Sequence, residues 1–185
     1  MMSGVRPFQV PTKAKYLAYC DMTTDNGGWT LVGQSADNTN DGEFGWHTKR
    51  GDVNVTDKAY CLNALEVGIA IDEVLIAWGT RNDLRSAYRI KPPIDFPSAF
   101  ENSSTTVQSL TKVTNTDCSI GQGTTPFMFG HMGRHNRTDA FFFRDNDSDG
   151  NYGLKRDGWN THYDTCIDDG RFRDRQGLVF VRQNQ

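Results

Sequence analysis

The chain reads as an α+β fold in a single domain spanning residues 1–185. Three observations predict this. Alternating apolar segments of strand length recur from end to end, only short stretches carry helical spacing, and turn formers are dense. Hydrophobic residues make up 36% of the chain, with 18 Gly and 6 Pro, which suits short strands joined by loops better than a helical bundle. A chain of this length can bury a core of its own.

The segment KYLAYCDM, Lys15 to Met22, alternates as a strand, and GWTLVGQS, Gly28 to Ser35, reads as a second. Between them TTDNGG supplies turn formers whose glycines can take positive φ. The pair is therefore expected as a hairpin, with Trp29 plugging the core beneath the turn. NTNDGEFGW, Asn38 to Trp46, is a polar loop. TDKAYCLNALE, Thr56 to Glu66, has a Thr/Asp cap and helical spacing of Ala59, Leu62 and Leu65, so it predicts a helix. IDEVLIAWGT, Ile71 to Thr80, and LRSAYRI, Leu84 to Ile90, predict two more strands, after which Pro92, Pro93 and Pro97 break the chain. Ser98 to Leu110 reads as a short helix followed by loop. FMFGHMG and AFFFRD are apolar bursts, and GLVFVR, Gly177 to Arg182, is a last strand.

Charge narrows the partners. The chain has 20 basic and 23 acidic residues, a net of −3, without a long block of one sign, so no nucleic-acid footprint is indicated. No apolar run approaches the length of a membrane span. The segment MMSGVRPFQV lacks the apolar core of a signal peptide, so a secreted form is expected to have lost its leader, or the chain to be a piece of a longer one. Four cysteines, Cys20, Cys61, Cys118 and Cys166, are widely spaced with no C-x-x-C pair, which disfavours a zinc ribbon. They read either as two disulfides made in an oxidising compartment or as four buried thiols. Spacing does not choose among the three pairings. Cys20 with Cys61 and Cys118 with Cys166 is the one expected here.

The sharpest chemical signal is RDNDSDGNYG, Arg144 to Gly153. Asp145, Asp147 and Asp149 fall at alternate positions and Gly150 follows. Carboxylates this close repel unless a cation sits between them, and hard oxygen ligands favour Ca²⁺. An EF-hand is excluded, because its twelfth position is Arg156 where a bidentate Glu is required. The alternative is a surface turn that binds nothing.

Three of these stretches resemble a known family. YCDMTTDNGGWTLV, Tyr19 to Val32, with SGV at Ser3 to Val5 before it, resembles the hallmark of the fibrinogen-related domain, including its intelectin branch. FRDNDSDGNYG is similar to that family's calcium loop, and QGLVFVR to the closing strand of intelectins. The resemblance implies that Asp147 and Asp149 supply carboxylates to Ca²⁺, that Asn151 and Gly153 supply main-chain carbonyls, and that Asp145 supports them. It also implies an extracellular, secreted recognition module, a calcium-dependent lectin for glycans or for acetylated or diol-bearing ligands, and not an enzyme. The family's pocket lies just after the calcium loop, which here is DGWNTHYDTC. Trp159, Asn160, His162 and Tyr163 are then the expected ligand-binding set, or else ordinary core and loop residues. Homo-oligomerisation is the expected route to avidity, because single sugar sites are weak. The competing reading is a structural or assembly module of an extracellular fibre, matrix or virion, in which calcium only braces a loop.

Other motifs carry less. Arg50-Gly51-Asp52 is the integrin-type tripeptide, a match short enough to arise by chance. His131 and His135 flank Gly133 without a following Glu, so no zincin site is formed. Sequons for N-glycosylation begin at Asn54, Asn102, Asn136 and Asn146. No nucleophile–base set is legible.

Overall fold

The structure is a computed structural model. It describes residues 1–9, 15–34, 49, 51–62, 68–69, 71–91, 105–107, 110–115, 127–131, 141–144, 151–155, 158–161 and 177–183. Among these the regular elements are strands and one 3₁₀ turn: β1 (Gly4–Phe8), β2 (Tyr16–Asp21), the turn at Thr24–Asn26, β3 (Trp29–Gln34), β4 (Tyr60–Cys61), β5 (Glu73–Thr80), β6 (Asp83–Ile90), β7 (Thr105–Val107), β8 (Leu110–Asn115), β9 (Phe127–His131), β10 (Phe141–Arg144), β11 (Asn151–Lys155), β12 (Gly158–Thr161) and β13 (Gly177–Arg182). The α component of the expected fold is not seen among the described residues.

The larger sheet runs β1-β2-β3-β13-β5-β6-β8, with β4 also paired to β3, and every pairing is antiparallel. The last strand thus lies between β3 and β5 rather than at an edge. Leu178, Val179, Phe180 and Val181 are fully buried, as are Val74 and Leu75 beside them. Successive strand residues point to opposite faces, so this sheet is covered on both sides at its centre. Each large side chain removed from water there contributes about 1.5–3 kcal/mol.

The expected hairpin is present. Cys20 pairs with Thr30 and Asp21 with Trp29, and Trp29 is fully buried beneath the turn. Its indole N–H donates to the Thr24 carbonyl at 3.0 Å. Gly27, at φ 78, is obligatory, because a Cβ there would lie 2.5 Å from the Met22 carbonyl oxygen. Asp21, 2% exposed, accepts at one carboxylate oxygen from the Thr23 amide and hydroxyl (both 2.8 Å), the Thr24 amide (3.1 Å) and the Ser3 hydroxyl (3.2 Å). Ser3 in turn accepts from the Met22 amide at 2.9 Å. Burial alone would raise the Asp21 carboxyl, but the donors from Thr24 and Thr23 hold it below its ordinary value.

The predicted helix over Thr56–Glu66 does not form in its described part: Tyr60–Cys61 is strand β4. The reason is tertiary. In a helix the Lys58 carbonyl would receive the Leu62 amide. Instead the buried Gln34 side chain donates to the carbonyls of Thr56 (3.0 Å) and Lys58 (2.7 Å), and Leu62 donates to Val32 at 2.9 Å. Val32 is the extra residue of a bulge opposite the Val179–Phe180 step, so its carbonyl is available to Leu62. Of the short helix and following loop expected over Ser98 to Leu110, the loop part contains β7 at Thr105–Val107; residues 98–104, where the helix is expected, lie outside the described ones.

Two arginines are built into this sheet. Arg81, at the two-residue turn between β5 and β6, is 5% exposed. It donates to the Gln34 side-chain oxygen (2.7 Å), to the Val53 carbonyl and to the Val55 carbonyl (3.4 Å), and sits 5.4 Å from the Tyr19 ring centroid and 6.0 Å from that of Tyr60. Arg182 closes the other corner, 4.1 Å over the Trp29 ring. It donates to Glu73 (2.6 Å), to the carbonyls of Asp25 (2.6 Å) and Gly27 (3.0 Å), and to the Asp25 carboxylate (3.1 Å). Arg89 joins the same two acids, at 2.7 Å from Asp25 and 3.6 Å from Glu73. Asp25, Arg182, Glu73 and Arg89 form a closed ring of alternating charge.

Candidate calcium loop and ligand-binding segment

The second sheet has the order β12-β11-β10-β9-β7, again antiparallel throughout. Its middle strand is the aromatic burst FFFR, a β-favouring composition. Cα positions of β11 come within 8 Å of β13, where the two sheets meet.

Strand register defines one end of this sheet. Arg144 pairs with Asn151, so the six residues 145–150, which hold Asp145, Asp147 and Asp149, connect two directly paired strands. On the other side of β11, Tyr152 pairs with Thr161 and Gly153 with Asn160. The chain leaving β12 into His162 and Tyr163 therefore departs at the same end of the sheet at which the acidic connection joins β10 to β11. Met128 of β9 is opposite Arg144 there, whereas His131 pairs with Phe141 at the other end.

The expected site residues thus divide. Asp145, Asp147, Asp149, His162 and Tyr163 lie outside the described residues, as do Cys118 and Cys166. Asn151 is the first residue of β11 and adjoins the acidic connection. Gly153 is two positions further in, between Phe142 and Asn160, where antiparallel pairing directs a carbonyl to a neighbouring strand. Trp159 and Asn160 are consecutive residues of β12, the edge strand. Among the described residues, no group of three or more His, Cys, Asp or Glu is arranged to hold a metal ion. Asp25 and Glu73 are neutralised by Arg89 and Arg182 instead.

The expected Cys20–Cys61 bridge is corrected. Cys20 carries a thiol. It pairs opposite Thr30 and Cys61 opposite Gly33, on the same edge of β3. Three residues along a strand is about 8–10 Å with a bulge between them, beyond the reach of a disulfide. Burial pushes the Cys20 thiol up from its ordinary value, with Arg6 acting in the other direction.

The integrin-type tripeptide is tied into the fold where it is described. Gly51 has φ 70, and a Cβ there would lie 2.1 Å from the Ala59 carbonyl oxygen. The Asp52 carboxylate accepts from the Asn54 amide and side chain, each at 2.9 Å. Arg81, Arg182 and Glu73 were not singled out from the sequence. Their partners lie up to 157 positions away, and no local pattern signals them.

Comparison with known proteins agrees with this architecture. Residues 2–67 match the profile of the fibrinogen beta and gamma chains' C-terminal globular domain. A stretch of 72 residues, 37% of this chain, is 38% identical to the fibrinogen beta chain of Gallus gallus, and spans 15% of that relative's length. In three dimensions the chain is similar to the fibrinogen-like globe domain of human ANGPTL6 (TM-score 0.51, 14% identity, 99% of this chain and 90% of that one). It is similar also to that of human ANGPTL2 (TM-score 0.50, 12% identity, 99% and 93%). Those two likenesses concern the fold. Among the described residues, no helix is long and apolar enough to cross a membrane. The signature SGV…CDMTTDNGGWT, whose Ser3, Asp21, Gly27 and Trp29 build the corner described above, lies within residues 2–67, and together with these matches it supports a fibrinogen-related domain.

Proposed function

We propose that this domain is an extracellular recognition module, a lectin that binds glycans or other diol-bearing or acetylated ligands with the help of Ca²⁺, and not an enzyme. The observation that supports it is the register of the second sheet. It brings the two ends of the acidic connection, Arg144 and Asn151, and the exit of β12 toward His162 to the same end of one sheet. The donor set suits a hard cation: Asp147 and Asp149 would supply carboxylates, the Asn151 main chain a carbonyl, and Asp145 support. Of the two backbone ligands implied by the resemblance, Asn151 is better placed than Gly153, which sits inside the ladder. Calcium would neutralise the three acids and fix the connection. Asn160 and Trp159, with His162 and Tyr163 beyond them, would offer amide, aromatic and imidazole groups to a sugar.

The melting temperature with and without Ca²⁺ tests this. At 100 times Kd, bound Ca²⁺ adds about 2.7 kcal/mol, which for this size is on the order of 5–10 °C. The shift is expected to vanish in Asp147→Ala and Asp149→Ala. Binding to a glycan array should then be lost in EDTA. A calcium shift without any glycan binding would leave the assembly reading, with the ion only bracing the loop. Absence of both would overturn the proposal.

A further inference from the structure

We infer that Asn54 is a site of N-linked glycan attachment. This rests on the extracellular reading, since attachment requires passage through a eukaryotic secretory compartment. Asn54-Val55-Thr56 is an acceptor sequon without Pro at its middle position. Sequons are frequent, and most of the argument comes from what the structure does with this one. Asp52 to Val55 form a β-turn, the Val55 amide donating to the Asp52 carbonyl at 3.0 Å, and Asn54 occupies its exposed third position. Thr56 is exposed as well.

The underside of this segment is committed to the core. Arg81 takes the carbonyls of Val53 and Val55, Gln34 takes those of Thr56 and Lys58, the Val53 side chain is 4% exposed, and Gly51 is packed against Ala59. The backbone therefore holds its shape from beneath while the Asn54 side chain faces water. A sugar there displaces no packed atom. It would also cover Val55, a large apolar side chain that is exposed among the described residues.

The hydrogen bond from the Asn54 side-chain amide to Asp52, at 2.9 Å, is compatible with attachment. In the transfer, this nitrogen forms a bond to the anomeric carbon of a lipid-pyrophosphate-linked oligosaccharide. The bond from that carbon to the pyrophosphate oxygen breaks, one amide proton is lost, and the lipid pyrophosphate leaves. One N–H remains on the nitrogen and can still donate to Asp52.

The test is expression of the full chain in a eukaryotic cell behind the host's own cleavable leader. Leader-cleaved protein, secreted or retained, is treated with peptide N-glycosidase in heavy-oxygen water and mapped by mass spectrometry. The expected result is isotopic labelling at position 54, abolished in Asn54→Gln and Thr56→Ala and kept in Thr56→Ser. Leader-cleaved chain with Asn54 unmodified, and with the same melting temperature as Asn54→Gln, would overturn the inference. The calcium-dependent melting shift is measured independently, so failure of this site and failure of the recognition reading are told apart.

Discussion

Arg81 and Arg182 solve the same problem at two corners of one sheet, and they solve it differently. Both guanidinium groups lie against aromatic rings and both join distant segments. Arg182 is balanced by charge, inside a ring with Asp25, Glu73 and Arg89. Arg81 is solvated by neutral oxygens, the carbonyls of Val53 and Val55 and the amide of Gln34. Burial pushes the Arg81 guanidinium down from its ordinary value, and nearby Tyr60, Tyr19 and Asp52 act against that; a guanidinium nonetheless stays charged at any physiological pH. The difference shows that a fixed cation in a core needs oriented acceptors, and that carboxylates are only one way to provide them. It also implies different consequences when each arginine is removed.

The largest effect is expected at Arg182. Arg182→Met leaves Glu73, 4% exposed, with the 3.6 Å contact to Arg89 as its one remaining ion pair among the described residues, and removes the donor to the carbonyls of Asp25 and Gly27. Breaking a buried pair in this way costs about 3–5 kcal/mol, read as a fall in the urea midpoint. Arg81→Met removes a cation whose partners are neutral, so it orphans carbonyls but no charge. The expected loss is smaller, about 2–3 kcal/mol, and should vary little with salt, whereas the contribution of the charged ring should weaken as salt rises. Equal losses with equal salt dependence would break the comparison.

The smallest effect tests the aromatic wall of the Arg81 site. Burial raises the Tyr60 hydroxyl well above its ordinary 10.0, with Arg81 opposing, and burial likewise raises Tyr19. A folded-state pKa above the unfolded one gives stability that is complete below pH 10 and is lost as pH rises beyond it. Thermal scans should therefore show an alkaline limb starting near pH 10, reduced in Tyr60→Phe at a cost of under about 1 kcal/mol at neutral pH, since its bond to Leu17 is 3.5 Å long. Asp21 gives the opposite limb. Its lowered carboxyl contributes stability above about pH 4, lost as pH falls further.

What the sequence made legible follows the range of the interactions. The strands at Tyr16–Asp21, Trp29–Gln34, Glu73–Thr80, Asp83–Ile90 and Gly177–Arg182 announce themselves by alternation or by continuous apolar runs. The turn glycines and Trp29 do so because hairpin chemistry is local. β1 is hidden, since Arg6 and Pro7 interrupt its pattern, and Pro7 is tolerated because β1 is an edge strand. β4 is misread as helix because one side chain, Gln34, removes the carbonyls a helix would need. β11 and β12 read as loop because NYGLK and GWNT mix glycine with polar residues. Of the candidate site, the acidic connection is local and visible in composition. Its convergence with the exit of β12 depends on register across three strands, which spacing along the chain does not encode.

The central position of β13 has a consequence for how the molecule is made. During synthesis, β3 and β5 emerge long before residues 177–182, the strand that must lie between them. Until then each presents an unpaired edge, and the Trp29 corner lacks the arginine that closes it. The nascent chain is therefore a pair of open half-sheets waiting for a wedge, a high-contact-order arrangement that folds late and is open to mispairing while it waits. A ribosome stalled before Gly177 would display those edges to chaperones, and release of the last strand would complete the sheet.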